Sequence, residues 1–149
     1  MAPAEAGDAD DFSHIRALVV DDDPDILALI EHVIRDLGIQ RLRGTTDSLE
    51  AKRLIEATPD GFDVILCDWS MPAMSGLDFL KWVRDATKNV TFVMLTGNTA
   101  SDAVAEAKKF KVDGYVAKPF RPSELKARLI TLLRRAGRPQ GADKRNVNG

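Results

Sequence analysis

Apolar residues along this chain follow two rhythms. Mainly apolar runs at 17–21, 62–67 and 90–95, and a shorter one at 114–117, have the length and bulk of strands buried on both faces. A more polar stretch at 40–45 reads as a strand nearer the sheet edge. Between the runs, apolar residues recur at the spacing of one helix face. Ile26, Ile30, Val33, Ile34 and Leu37 form one such stripe. Asp23 is placed to cap it, Pro24 suits its first turn, and Gly38 ends it. Asp47 or Ser48 is placed to cap a second helix through Thr58, closed by Pro59-Asp60-Gly61. Ser75 precedes a third helix over 76–86, with Leu77, Leu80 and Val83 or Trp82 turned inward. An alanine-rich helix is predicted over 99–110, with Ala103, Val104, Ala107 and Phe110 on one side. The last, 122–135, carries Leu125, Leu129, Leu132 and Leu133.

Strand and helix signals alternate strictly. Short links between them imply a parallel sheet with helices on both faces, an α/β doubly wound five-stranded architecture. Residues 1–13 are small, acidic and poor in apolar groups, and are expected to be a flexible tail. Residues 137–149 read as a second tail, mostly basic. That leaves 14–136 as one domain, in keeping with a length of 149 residues.

Composition narrows the function. Hydrophobic residues make up 44% of the chain, enough for a packed core. Charged residues make up 30% and nearly cancel, with a net charge of −2. A balanced surface gives no reason to expect nucleic-acid binding. The single cysteine, Cys67, rules out an internal disulfide and fits a reducing cytosol. No apolar run approaches the length of a membrane span, and the acidic start lacks the apolar stretch of a signal peptide. A cytoplasmic protein is expected.

The chemistry lies where the strands stop. Asp21 and Asp22 lie at the end of the first strand and Asp68 at the end of the third; Thr96 ends the fourth, and Lys118 just follows the fifth. Ligands of doubly wound sheets bind at the carboxyl ends of the strands, so these groups should converge on one edge. Carboxylates gathered with too few cations repel one another and need a metal or a proton. Such a cluster points to a divalent metal beside a reactive aspartate, and so to phosphoryl chemistry.

In order along the chain stand VVDDD, CDWSMPAMSG, MLTG and YVAKPF. Together they resemble the motifs of response-regulator receiver domains, the CheY-like family, over roughly residues 16–135. The resemblance implies a flavodoxin-like sheet of order 2-1-3-4-5. It implies Asp68 as phosphoacceptor, a carboxylate attacking phosphorus to give an acyl phosphate. It implies Mg²⁺ held by Asp22 directly, by Asp21 largely through water, by Asp68 and by the backbone carbonyl of Ser70. Lys118 would pair with the phosphoryl group, and the bond to Pro119 would be cis. Thr96 would turn its hydroxyl onto the phosphoryl oxygens, and Tyr115 would be a switch aromatic. Ser70 and Asn98 would flank the path of a hydrolytic water.

The family reading implies a single-domain phosphorylation switch. It takes phosphate from a histidine kinase's phosphohistidine, directly or through a phosphotransfer protein, and changes its affinity for a target on the 99–135 face. A relay intermediate passing phosphate onward is the alternative. An aspartate-nucleophile phosphatase is weaker, because Ser70 stands where such enzymes carry a second acid and there is no room for a cap. The protein is not expected to be a turnover enzyme on a separate substrate. Blander readings suit the rest. Asp23 is a helix cap. Cys67, pointing opposite to Asp68, is a core thiol. His14 and His32 lack companion ligands.

Overall fold

A computed structural model describes residues 10–87, 89–97 and 101–137. The elements run β1 (Arg16–Val20), α1 (Pro24–Asp36), β2 (Arg41–Thr45), α2 (Ser48–Ala57), β3 (Val64–Asp68), α3 (Gly76–Ala86), β4 (Thr91–Thr96), α4 (Ser101–Lys109), β5 (Gly114–Ala117) and α5 (Pro122–Gly137). The sheet has the order β2-β1-β3-β4-β5, with every pair parallel. This is the doubly wound, flavodoxin-like order. Every residue of β3 and β4 is buried, as their mainly apolar sequences require. β2, with alternating exposure, is one edge of the sheet, and β5 the other.

Each strand feeds two cores, because successive side chains point to opposite faces. Ala17, Val19, Leu66, Val93, Leu95 and Val116 face Ile30, Val33 and Ile34 of α1 and the leucines of α5. Leu18, Val20, Ile65, Cys67, Phe92 and Met94 face Ala51 and Ile55 of α2, Phe79 and Leu80 of α3, and Ala107 of α4. The inward face of α3 differs from expectation. Phe79, Leu80 and Val83 are buried, whereas Leu77 is only half-buried. Phe79 wins the place because its ring lies 6.1 Å from both Phe92 and Trp82.

Caps fix where the helices start. The Asp23 carboxylate accepts from the N–H groups of Asp25 and Ile26. Asp47 caps α2 through Leu49 N–H, which leaves Ser48 as the first helical residue. The Ser75 hydroxyl accepts from Asp78 N–H. Gly38 follows α1 with φ +93°, a conformation that costs glycine nothing.

Two aspartates tie the amino ends of the strands together. Asp63, just before β3, accepts from Arg16 N–H of β1 at 2.8 Å and from its guanidinium at 3.1 Å. Asp113, just before β5, accepts from Phe92 N–H of β4 at 2.7 Å and from Arg84 at 3.0 Å. The same Arg84 donates to the carbonyls of Val90, Phe110 and Lys111.

Of the amino-terminal tail expected over 1–13, the described last residues are packed against the fold. Phe12 is 8% exposed and joins the α1–α5 core, and Ile15 N–H donates to its carbonyl. Asp10 accepts two hydrogen bonds from Arg134 in the last turns of α5, at 2.6 and 2.8 Å. Residues 1–9 and 138–149 lie outside the described chain.

Candidate functional site

The parallel register brings the ends of β1, β3, β4 and β5 to one edge. Val20 pairs with Cys67, Asp68 with Leu95, and Thr96 with Ala117. Asp21 therefore emerges beside Asp68, and Lys118 beside Thr96.

Asp21 is fully buried and held from three sides. Its N–H donates to the Thr45 carbonyl at 3.2 Å. Its Oδ1 accepts from Asp23 N–H at 3.0 Å, and its Oδ2 accepts from Lys118 Nζ at 2.9 Å. Asp68 is 6% exposed and ends β3. Its Oδ1 lies 3.1 Å from Lys118 Nζ and accepts from Ser70 N–H at 3.4 Å. Asp22 is exposed, yet one carboxylate oxygen each of Asp21, Asp22 and Asp68 lies within 4.8 Å of the others. Lys118 N–H donates to the Thr96 carbonyl at 2.8 Å, and the Lys118–Pro119 bond is cis.

Two of these three carboxylates, Asp21 and Asp68, thus share one ammonium. Burial and then the Asp21 charge push the Asp68 carboxyl up to about 6, against the opposing pull of Lys118. Burial alone would lower the Lys118 ammonium, but the two aspartates outweigh it and raise it. Cys67, the next residue back along β3, is fully buried. Burial, then Asp68 and Asp21, push its thiol well above the usual range, so it is an inert core thiol.

The uncompensated negative charge and the all-oxygen donor set of Asp21, Asp22 and Asp68 fit a hard divalent cation of the Mg²⁺ kind. Thr96 is buried at the end of β4, and Ser70 is exposed just past Asp68. Tyr115 stands back from the carboxylates. Its half-buried hydroxyl donates to the Val104 carbonyl of α4 at 2.9 Å, and burial raises its pKa. Asn98 lies outside the described residues.

Asp23 contributes more than the helix cap expected of it. Asp23 caps α1, and its amide also holds Asp21 in place. The signal was available in Asp-x-Asp, since aspartates bond the backbone two residues on.

A model of the response regulator receiver domain matches residues 17–130. The chain belongs to the response regulator receiver family. Its relatives include the chemotaxis protein CheY-3 of Vibrio cholerae, 31% identical over 82% of this chain and 94% of that one. The chemotaxis protein CheY of Pseudomonas aeruginosa is 32% identical over 81% and 98%. Among solved structures, Vibrio cholerae CheY4 superposes with a TM-score of 0.71 at 32% identity, covering 79% and 98% of the two chains. The receiver domain of the Francisella response regulator 1452 gives 0.72 at 32%, covering 82% and 98%. The protein is thus a CheY-like receiver of two-component signalling, a class that interacts with kinases and downstream targets. Among the described residues no helix is long and apolar enough to cross a membrane.

Proposed function

We propose that this receiver is a cytoplasmic switch that accepts a phosphoryl group on Asp68 from the phosphohistidine of a histidine kinase or phosphotransfer protein. The observation that carries the reading is the Asp68 carboxylate, buried at a strand end, joined to Lys118 at 3.1 Å and flanked by Asp21 and Asp22. In the transfer, an Asp68 carboxylate oxygen forms a bond to phosphorus. The bond from phosphorus to the histidine nitrogen breaks, and the imidazole keeps the electron pair and takes a proton.

Asp22, Asp68 and the Ser70 carbonyl would hold Mg²⁺ directly, and Asp21 would act largely through water. The ion, when bound, supplies neutralisation of charge on the transferred phosphoryl oxygens. The chain's own residues do the rest. Lys118 stands between Asp21 and Asp68, at 2.9 and 3.1 Å, and its ammonium follows the phosphoryl oxygens. Asp21 aims that ammonium, since its other oxygen is fixed by Asp23 N–H. The Thr96 hydroxyl binds a phosphoryl oxygen. Tyr115, tied to α4 through Val104, transmits the change to the 99–135 face, where a target docks. The protein acts by docking, not by turnover of a separate substrate.

The test is incubation with acetyl phosphate and Mg²⁺, read by intact mass and by the fluorescence of Trp69. One phosphate on the wild-type chain and none on Asp68→Ala is expected. An unmodified wild-type chain, or an adduct that survives Asp68→Ala, overturns the reading.

A further inference from the structure

The loop after Asp68 is closed by a residue without a side chain. Trp69 N–H donates to the Leu95 carbonyl of β4 at 2.8 Å. The Trp69 carbonyl accepts from the N–H of Gly76, the first residue of α3, also at 2.8 Å. Trp69, the residue after Asp68, is therefore gripped by the sheet through its N–H and by a helix start through its carbonyl.

Gly76 is buried against that peptide. A Cβ there would collide with the Asp68 carbonyl oxygen, and would stand 2.9 Å from Trp69 Cα and 3.0 Å from Met94 Sδ. Met94 is flexible and can yield. The other two atoms are backbone of Asp68 and Trp69, and cannot rotate away. Gly61 also faces backbone, the Thr58 carbonyl oxygen at 3.0 Å, but in the turn before β3, at the other end of that strand from Asp68; the remaining glycines differ in kind. A Cβ on Gly44 meets the end of the Glu31 side chain, one on Gly114 meets Leu132 methyl groups, and one on Gly97 meets nothing within 4 Å.

We propose that Gly76 is a positioning residue for Asp68. Its bare α-carbon lets the start of α3 seat directly on the Asp68–Trp69 peptide. That seating fixes where the last residue of β3 points its carboxylate, toward Lys118 and Asp22. The proposal rests on Asp68 as the reacting group. To make room for a methyl group, the Asp68 carbonyl or the start of α3 must move by about 1 Å, a displacement large enough to cost roughly 100-fold in a reaction that depends on alignment.

Gly76→Ala tests this with two independent readouts. The first is the rate of Asp68 phosphorylation by acetyl phosphate, expected to fall by about 30-fold or more. The second is the carbon NMR signal of the Asp68 carboxyl in the unphosphorylated protein, expected to shift while the fold, by circular dichroism, stays intact. Should the single variant unfold, the double variant Gly76→Ala/Met94→Ala relieves the sulfur contact, retains the collision with the Asp68 carbonyl, and takes the same two measurements. A folded variant with wild-type rate and wild-type carboxyl signal overturns the positioning role. A wild-type chain that takes no phosphate overturns the phosphoacceptor reading instead. In that event a shifted carboxyl signal in the variant still supports the positioning role, and an unshifted one overturns it.

Discussion

Replacing Lys118 with Met should turn the carboxylate cluster into a liability that a divalent cation can relieve. Methionine keeps an apolar stem of similar length and removes only the charge. The ammonium lies 2.9 Å from Asp21 and 3.1 Å from Asp68, with its side chain 22% exposed. Removing one partner from a buried ion pair costs about 3–5 kcal/mol, because the remaining charge is left uncompensated. Asp68 softens the loss. Its carboxyl is already pushed up to about 6, and it rises further without the lysine. Asp68 then takes a proton near neutral pH and relieves part of the repulsion, each unit of rise being worth about 1.4 kcal/mol. The expected loss at pH 7.5 in EDTA is therefore about 2–4 kcal/mol. Excess Mg²⁺ should return much of it, since a ligand at 100 times its Kd adds about 2.7 kcal/mol, and a pocket without its ammonium binds cations more tightly. The assay is urea unfolding followed by tryptophan fluorescence, with and without Mg²⁺. A variant as stable as wild type in EDTA, or one stabilised by Mg²⁺ no more than wild type, refutes the electrostatic account.

Phe12→Ala should lower unfolding stability by about 2–4 kcal/mol, because the ring sits 8% exposed in the α1–α5 core; a neutral result in urea would show that the arm does not belong to the fold. Asp63→Asn should destabilise at neutral pH. Burial would raise the Asp63 carboxyl, but the side-chain and backbone hydrogen bonds from Arg16 outweigh it and hold it below the usual range. A depressed carboxyl stabilises the fold above its unfolded pKa of about 3.9, and that contribution fades as pH falls through the folded value. The gap between wild type and variant should thus stay level above about pH 5 and narrow below 4, amounting to under about 1 kcal/mol at this half-exposed site. A gap that widens in acid contradicts this. Tyr115→Phe should cost about 0.5–1.5 kcal/mol and speed amide exchange in α4, because the Val104 carbonyl loses its donor; unchanged exchange over residues 104–109 would count against the tie.

The element order was legible because β3 and β4 are buried on both faces, so apolar residues fill 62–67 and 90–95 with only Asp63 and Thr91 among them. The gathering of Asp21, Asp22 and Asp68 was equally open to reading, since parallel strands bring their carboxyl ends to one edge. Lys118 was silent by itself and was read only from its resemblance to the family motif. What escaped depended on distances between separate elements. Phe12 is a lone aromatic in an acidic stretch and has no period to announce its burial. Leu77 and Phe79 are both apolar on α3, and only the rings of Phe92 and Trp82 decide between them. The pairing of Asp63 with Arg16, and of Asp113 with Arg84, needed the fold. An aspartate directly before an apolar run was the only hint.

The contact between Asp10 and Arg134 joins residues 124 positions apart. β1 begins just after this arm and α5 finishes beside it, so the described chain starts and stops at the pole opposite Asp68. A short peptide bridging that gap would close the backbone into a ring. The ring could then be reopened at the exposed Pro59-Asp60 turn, which lies between elements and outside the carboxylate pocket. Such a permuted chain would keep every strand pairing while carrying its new ends beside β3. Conversely, a protein joined where the described residues begin or end would attach at the pole farthest from Asp68, and would leave the approach to that carboxylate open.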